Sequence, residues 1–451
     1  MKMQYQIVLF LTLFALPPAI FAQGSTNGQG GNFTQQHLCL PESQRNEIKQ
    51  QLAENIRLLG LDETNTGRAV DDLKFPLRAA AAIPGYFNYW SVSGYVDHNA
   101  SSGIQDYNCQ NQTYDGHRGS DYFTFPFSFY LYNNDLVEVI ASAPGTIISK
   151  QDGNSDVNCS PNGSWNAVYV RHADGSVMWY GHLKNGSLTS KNIGATVEEG
   201  EYLGILASSG FSNGPHLHIE YYHENGNLLD PYQGSCNDLN SSSMWDVQPL
   251  HINPKVNAVL THSFIPNLDC GLNVESVNFI NEFYAGDRTV VAIYLTDYLA
   301  AMVANTRILR PDGSQFDAFN TFNTQNSYDW FWNSRSYWLN EDDPEGEWTV
   351  ECTFNGVTYT HTFQFQHEVT NVEETRQDEL SIFPNPSQDE IIISGSNWQN
   401  QPYRLINTLG QEVERGVLSQ QELGVAHLAN GLYYLLIGAE ESLQVKKIIK
   451  D

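Results

Sequence analysis

The sequence predicts a mainly β protein made of several domains, on three observations. Short runs rich in β-forming residues recur from Phe75 onward, turn dipeptides separate them, and no segment after the N-terminus is apolar enough to cross a membrane. A length of 451 residues suggests about three domains. With 41% hydrophobic and 12% aromatic residues the chain can fill real cores. Its formal net charge of −28 argues against nucleic acid or an anionic membrane as partner, because either would be repelled.

The elements follow in chain order. Lys2, the apolar run Ile7 to Leu16, Pro17, Pro18 and Ala22 predict a signal peptide over residues 1–22, too short to span a bilayer. Residues 23–36 are rich in Gly, Asn, Gln and Ser and are expected to be disordered. After Pro41, the positions of Ile48, Leu52, Ile56 and Leu59 mark one face of a helix ending near Gly60. Residues 23–74 therefore read as a prosegment-like region with one helix, either simply packed on its neighbour or covering a site.

Residues 75–247 form the first β-domain. Its strands are expected at Val137 to Ala141, Thr146 to Lys150, Ala167 to Arg171, Ser176 to Tyr180, Tyr202 to Ala207 and His218 to Tyr222, with turns such as Pro144-Gly145 and Asp174-Gly175 between them. Residues 248–368 have the size of an immunoglobulin-like β-sandwich, with strands at Thr289 to Leu295, Trp348 to Phe354 and Thr358 to Phe365. Its aromatic group of Trp330, Phe331, Trp332, Tyr337 and Trp338 reads as core before binding surface. The polar stretch 369–379 reads as a linker, and 380–451 as a small β-module.

Six cysteines behind a signal peptide point to an oxidising compartment and up to three disulfides. Cys270 with Cys352 is the preferred pair, because both fall in the second β-domain, and Cys159 with Cys236 is a weaker one.

Five residues in three short stretches carry chemistry. His216 and His218 are two apart in a β-like run, so both imidazoles face one point. Asp121 follows His117 by four residues, and His182 stands in a third stretch. Nitrogen and carboxylate ligands of this kind suit a catalytic zinc with one coordination position open to water. Three ligands and two auxiliary histidines would be a complete set for peptide hydrolysis, but spacing alone does not say which histidine does what. His172 and His223 match no such pattern and read as core or surface residues.

Together, His117-Arg118-Gly119-Ser120-Asp121, Tyr180-Gly181-His182-Leu183 and Gly214-Pro215-His216-Leu217-His218 resemble the lysostaphin-type M23 zinc metallopeptidases. That resemblance implies zinc ligands His117, Asp121 and His218, with His216 as general base and His182 stabilising the oxyanion. It implies an antiparallel β-sheet metallopeptidase domain acting on peptide cross-bridges of peptidoglycan, with one Zn2+ per domain. Tyr122 to Asp135 is longer and more aromatic than the family's usual link, which leaves the substrate open. The alternatives are an extracellular endopeptidase for Gly-rich or other proteins, or a non-catalytic wall-binding module.

In the tail, Phe383-Pro384-Asn385-Pro386, Asn407-Thr408-Leu409-Gly410-Gln411, Leu428-Ala429-Asn430-Gly431-Leu432-Tyr433 and the closing Lys446-Lys447 resemble the sorting domain of the type IX secretion system. This implies a small C-terminal β-sandwich, recognition by that machinery, passage through the periplasm and across the outer membrane, and a secreted or surface location.

Overall fold

The computed structural model describes residues 26–32, 39–62, 70–321, 326–367, 381–394, 398–407, 411–438 and 444–451. The expected signal peptide and linker lie outside them. Among the described residues no helix is long and apolar enough to cross a membrane. The chain divides into two compact units, residues 1–367 and 368–451.

In the first unit an eight-stranded antiparallel sheet positions the site. Its strands run in the order Trp90–Gly94, Ser120–Thr124, His216–Tyr222, Val177–Gly181, Ala167–Arg171, Gly145–Gln151 and Thr196–Val197, with Leu228–Leu229 paired to the His216 strand. A second sheet of Tyr202–Ile205, Val137–Ile140 and Leu77–Ala79 packs against it. Val139, Ile147, Val168, Val170, Met178, Leu203 and Leu217 fill the space between, all fully buried. The central strands are buried along their whole length, so their sequences read as continuous β-branched and aromatic runs.

The expected N-terminal helix is present and packs on its neighbour. The helix Glu42–Leu58 buries Ile48 and Leu52 against Trp165, Tyr169, Trp179 and Tyr222 on the outer face of the large sheet. Its N-terminal neighbour departs from expectation, since Thr26–Gly31 is a strand rather than disordered. It pairs antiparallel with Tyr328–Trp338, Thr26 opposite Arg335 and Gly31 opposite Trp330. An edge strand needs backbone hydrogen bonds more than apolar side chains, and here a Cβ on Gly31 would lie 2.5 Å from the Trp330 ring.

Residues 255–366 form a sandwich of two sheets. One carries Lys255–His262, Arg288–Tyr298 and Tyr328–Trp338, and the other Glu282–Tyr284, Asn305–Leu309, Gln315–Asn320, Gly346–Phe354 and Val357–Gln366. Phe331, Tyr337 and Trp348 lie in its core, whereas Trp332 turns the other way onto Phe123, Phe125 and Phe127 of the first β-domain, and Trp338 is half exposed. The aromatic group is thus split by strand alternation between a core and a packed interface.

The disulfides correct the expected pairing. Cys109 joins Cys236 and Cys159 joins Cys270, while Cys39 and Cys352 stand outside both bonds. Cys352 faces the sandwich core at 0% exposure and Cys270 is taken by Cys159, so shared domain membership misled the assignment.

His262 and His361 are buried neutral in the sandwich. His262 Nδ1–H donates to the Val277 carbonyl at 2.5 Å, and Nε2 accepts from the Tyr294 hydroxyl at 2.9 Å, so no acceptor is left for a second proton. Burial pushes His262 down to about 4 from an ordinary 6.5. The unfolded chain therefore takes up a proton first as pH falls, and stability present in full above pH 6.5 is lost between 6.5 and about 4. The expected loss from this residue is roughly 3 kcal/mol. Unfolding midpoints across that range should fall less steeply in His262→Gln than in wild type, and equal slopes would contradict the assignment.

The second unit contains a three-stranded sheet of Ser381–Phe383, Glu390–Ser394 and Glu422–Gly424 and a four-stranded sheet of Pro402–Asn407, Glu412–Val417, Gly431–Ile437 and Gln444–Lys450. Ile391, Ile393, Leu405, Val425, Leu435 and Ile448 form its core, each at 0% exposure.

Candidate active site

Strand pairing explains why three stretches far apart in sequence meet. The His216–Tyr222 strand lies between Ser120–Thr124 and Val177–Gly181, and His218 stands directly opposite Asp121 on one side and Gly181 on the other. Paired residues share a face of the sheet, so Asp121, His218 and, two residues earlier, His216 all project to one side. His182 follows the Val177–Gly181 strand with φ 65, a left-handed conformation that is strained for a histidine and turns the ring toward the same point. His117 reaches it from the turn before Ser120. The structure thus brings all five expected residues together, and each is at most 5% exposed.

Each imidazole is oriented by its outer nitrogen. His117 Nδ1–H donates to the Tyr95 carbonyl at 2.7 Å, His182 Nδ1–H to Ser209 at 2.5 Å and His216 Nδ1–H to Gly214 at 2.8 Å. His218 is turned the opposite way, with Nε2–H donating to Glu220 Oε1 at 3.1 Å. The inner nitrogens of His117 and His218 are then bare lone pairs facing each other at 3.4 Å, with Asp121 oxygens 3.3 and 2.7 Å from them. Three buried acceptors converging at these distances need a cation among them. Donors around a tetrahedral zinc at ~2.0–2.1 Å lie ~3.3 Å apart, so the set fits that ion.

Where no cation neutralises this set, protons do. Burial opposes charge on His117, but Asp121 outweighs it and holds the ring up at about 9. Burial likewise pushes Asp121 up, yet His117 and His218 hold its carboxyl well below the ordinary range. Burial, reinforced by His216, lowers His182, whose Nε2 is a buried atom with no hydrogen-bond partner. For His216, burial is outweighed by Cys39 and Asp121, which raise it.

Residues 130–231 match Peptidase family M23, and residues 381–451 match the secretion system C-terminal sorting domain. The chain carries an M23 peptidase domain. Its match contains His182, His216 and His218, while Asp121 lies upstream and joins through strand pairing and His117 through the turn before that strand. The sorting domain indicates secretion or display at the cell surface.

Among curated proteins, the DD-carboxypeptidase/endopeptidase Mpg of Neisseria meningitidis serogroup B is 43% identical over 58 residues. That stretch is 13% of this chain and 13% of the relative, so the chain spans a small part of the length of the relatives it matches. Among solved structures, the catalytic domain of lysostaphin from Staphylococcus simulans is 22% identical, with a TM-score of 0.20 over 31% of this chain and 85% of that one. A zinc containing peptidase from Vibrio cholerae is 18% identical, with a TM-score of 0.21 over 34% of this chain and 39% of that one.

Two residues beside the M23 site were missed by sequence reasoning. Glu220 continues the alternation of His216 and His218 on the same strand face, and its position two residues on was the available signal. Cys39 reads in the sequence as one of six candidate disulfide cysteines, and nothing local to it points to the site. A cavity of about 340 Å³ opens beside His216, walled by Phe123, Phe125, Phe127, Phe129, Leu268 and Trp330. The aromatic Tyr122 to Asp135 stretch thus forms a wall of the space next to the site.

Proposed function

We propose that this protein is a secreted zinc metalloendopeptidase whose metal ligands are His117, Asp121 and His218 and whose catalytic residues are His182 and His216. The observation that carries this reading is the convergence of three buried acceptors from those ligands, with His117 held on its far side by the Tyr95 carbonyl and His218 by Glu220. Zinc bound there would lower the pKa of a water and polarise the scissile carbonyl.

His216, fixed through Nδ1, offers Nε2 as the acceptor for the proton of the attacking water. Burial lowers its basicity, and Cys39 and Asp121 outweigh that and raise it. His182 has Nδ1 committed to Ser209, so it donates to the developing oxyanion through Nε2 once that atom carries a proton. The sorting domain supports export through the periplasm and across the outer membrane.

Peptide cross-bridges of peptidoglycan are the substrate we favour, on the resemblance of the three site motifs to the lysostaphin-type peptidases. The aromatic cavity beside His216 favours a second reading, an extracellular endopeptidase for proteins with a bulky apolar residue near the cleaved bond. Release of fragments from sacculi, compared with cleavage of protein substrates, separates the two. In either case chelation should abolish activity, and His117→Ala and Asp121→Ala should each lose both zinc and turnover. Full activity in either variant would overturn the zinc assignment.

A further inference from the structure

Cys39 stands over the metal set. Its Sγ lies 3.4 Å from Asp121 Oδ2 and 3.6 Å from His216 Nε2, and it groups with the inner atoms of His117, Asp121 and His218 within 4.8 Å. A sulfur and a nitrogen sharing one tetrahedral zinc lie ~3.5 Å apart, given Zn–S of ~2.3 Å. The same sulfur also groups with His182, whose buried Nε2 has no hydrogen-bond partner and faces this point. Tyr114 steadies the approach. Its hydroxyl donates to Cys39 Sγ at 2.9 Å and accepts from the Cys39 backbone N–H at 3.2 Å, while its ring stacks on His117 at 4.1 Å.

The chain on either side of Cys39 is anchored. Leu40 is buried with Ile48 and Leu52 against the sheet's outer face. Arg45, 2% exposed, forms three hydrogen bonds to Glu220, the residue that orients His218. Upstream, Thr26–Gly31 is locked into the sandwich, and Asn32 lines the cavity beside His216. The N-terminal segment is thus held at three places around the site.

We infer that Cys39 is the fourth ligand of the metal, occupying the position that catalysis needs for water, and that the N-terminal segment thereby holds the peptidase in a latent form. This rests on the zinc reading above. The ligand is the thiolate, so the Sγ–H proton is released to solvent as the sulfur binds. Withdrawal or cleavage of the segment returns the position to water and exposes His182 and His216 to substrate.

Cobalt-loaded full-length protein tests this directly. Wild type should show thiolate-to-cobalt charge-transfer absorption, and Cys39→Ser should bind as much cobalt without that band. A thiol reagent applied to wild type should modify one further cysteine after chelation, a reading that needs no variant. If the closed form is populated about 99 to 1, Cys39→Ser should be roughly a hundredfold more active than uncut wild type. Cobalt bound by wild type without the band, or a thiol equally reactive with and without metal, would overturn the proposal and leave the zinc reading standing. No cobalt uptake by either protein would overturn both.

Discussion

His216→Ala is expected to lower kcat of the enzyme freed of its N-terminal segment by ~100- to 10,000-fold while leaving its zinc content unchanged. The ring is pinned through Nδ1 to Gly214, and its Nε2 lies 3.8 Å from Asp121 Oδ1, outside the tighter triangle made by His117, Asp121 and His218. His182→Ala should behave alike, with a loss of ~100- to 1000-fold for a lost oxyanion donor. His218→Ala should instead lose the metal. Zinc measured beside kcat separates these outcomes: a His216→Ala protein without zinc would make His216 a ligand and reverse the assignment of the pair.

Glu220→Ala should be the most damaging change outside the five site residues. Glu220 is 0% exposed and receives Arg45, Tyr222 at 2.5 Å and His218, so truncation leaves the buried guanidinium with only the half-exposed Glu42 as its anion. Breaking such a pair from one side costs about 3–5 kcal/mol. It also removes the acceptor that fixes His218 with Nδ1 inward, and metal affinity should fall about 10- to 100-fold. Arg45→Met removes the cation alone. It should loosen the Glu42–Leu58 helix, detected as faster proteolysis of the N-terminal segment, while Glu220 still accepts from His218. Unaltered zinc affinity in Glu220→Ala would show that the strand alone orients His218.

Much of this was readable because it depends on local periodicity. The Glu42–Leu58 helix announced itself through Ile48 and Leu52, and the site strand through His216, His218 and its aromatic neighbours. The Thr26–Gly31 strand was not readable, since its residues carry no apolar alternation and its stability comes from the partner edge it joins. The disulfides failed for a related reason. Cys159 and Cys270 come from different β-domains, and only the packing of those domains brings their loops to bonding distance.

The sequence by itself determined the β class and singled out five polar residues that the fold brings to one point, because side-chain type and spacing along a strand are properties of the chain alone. Tertiary structure decided how those residues are held. Register across three strands sets His218 against Asp121, Glu220 turns its ring, and Cys39 arrives from a segment 82 residues before Asp121 in the chain. Contacts made across such separations depend on how whole sheets pack, which no local pattern in the sequence records.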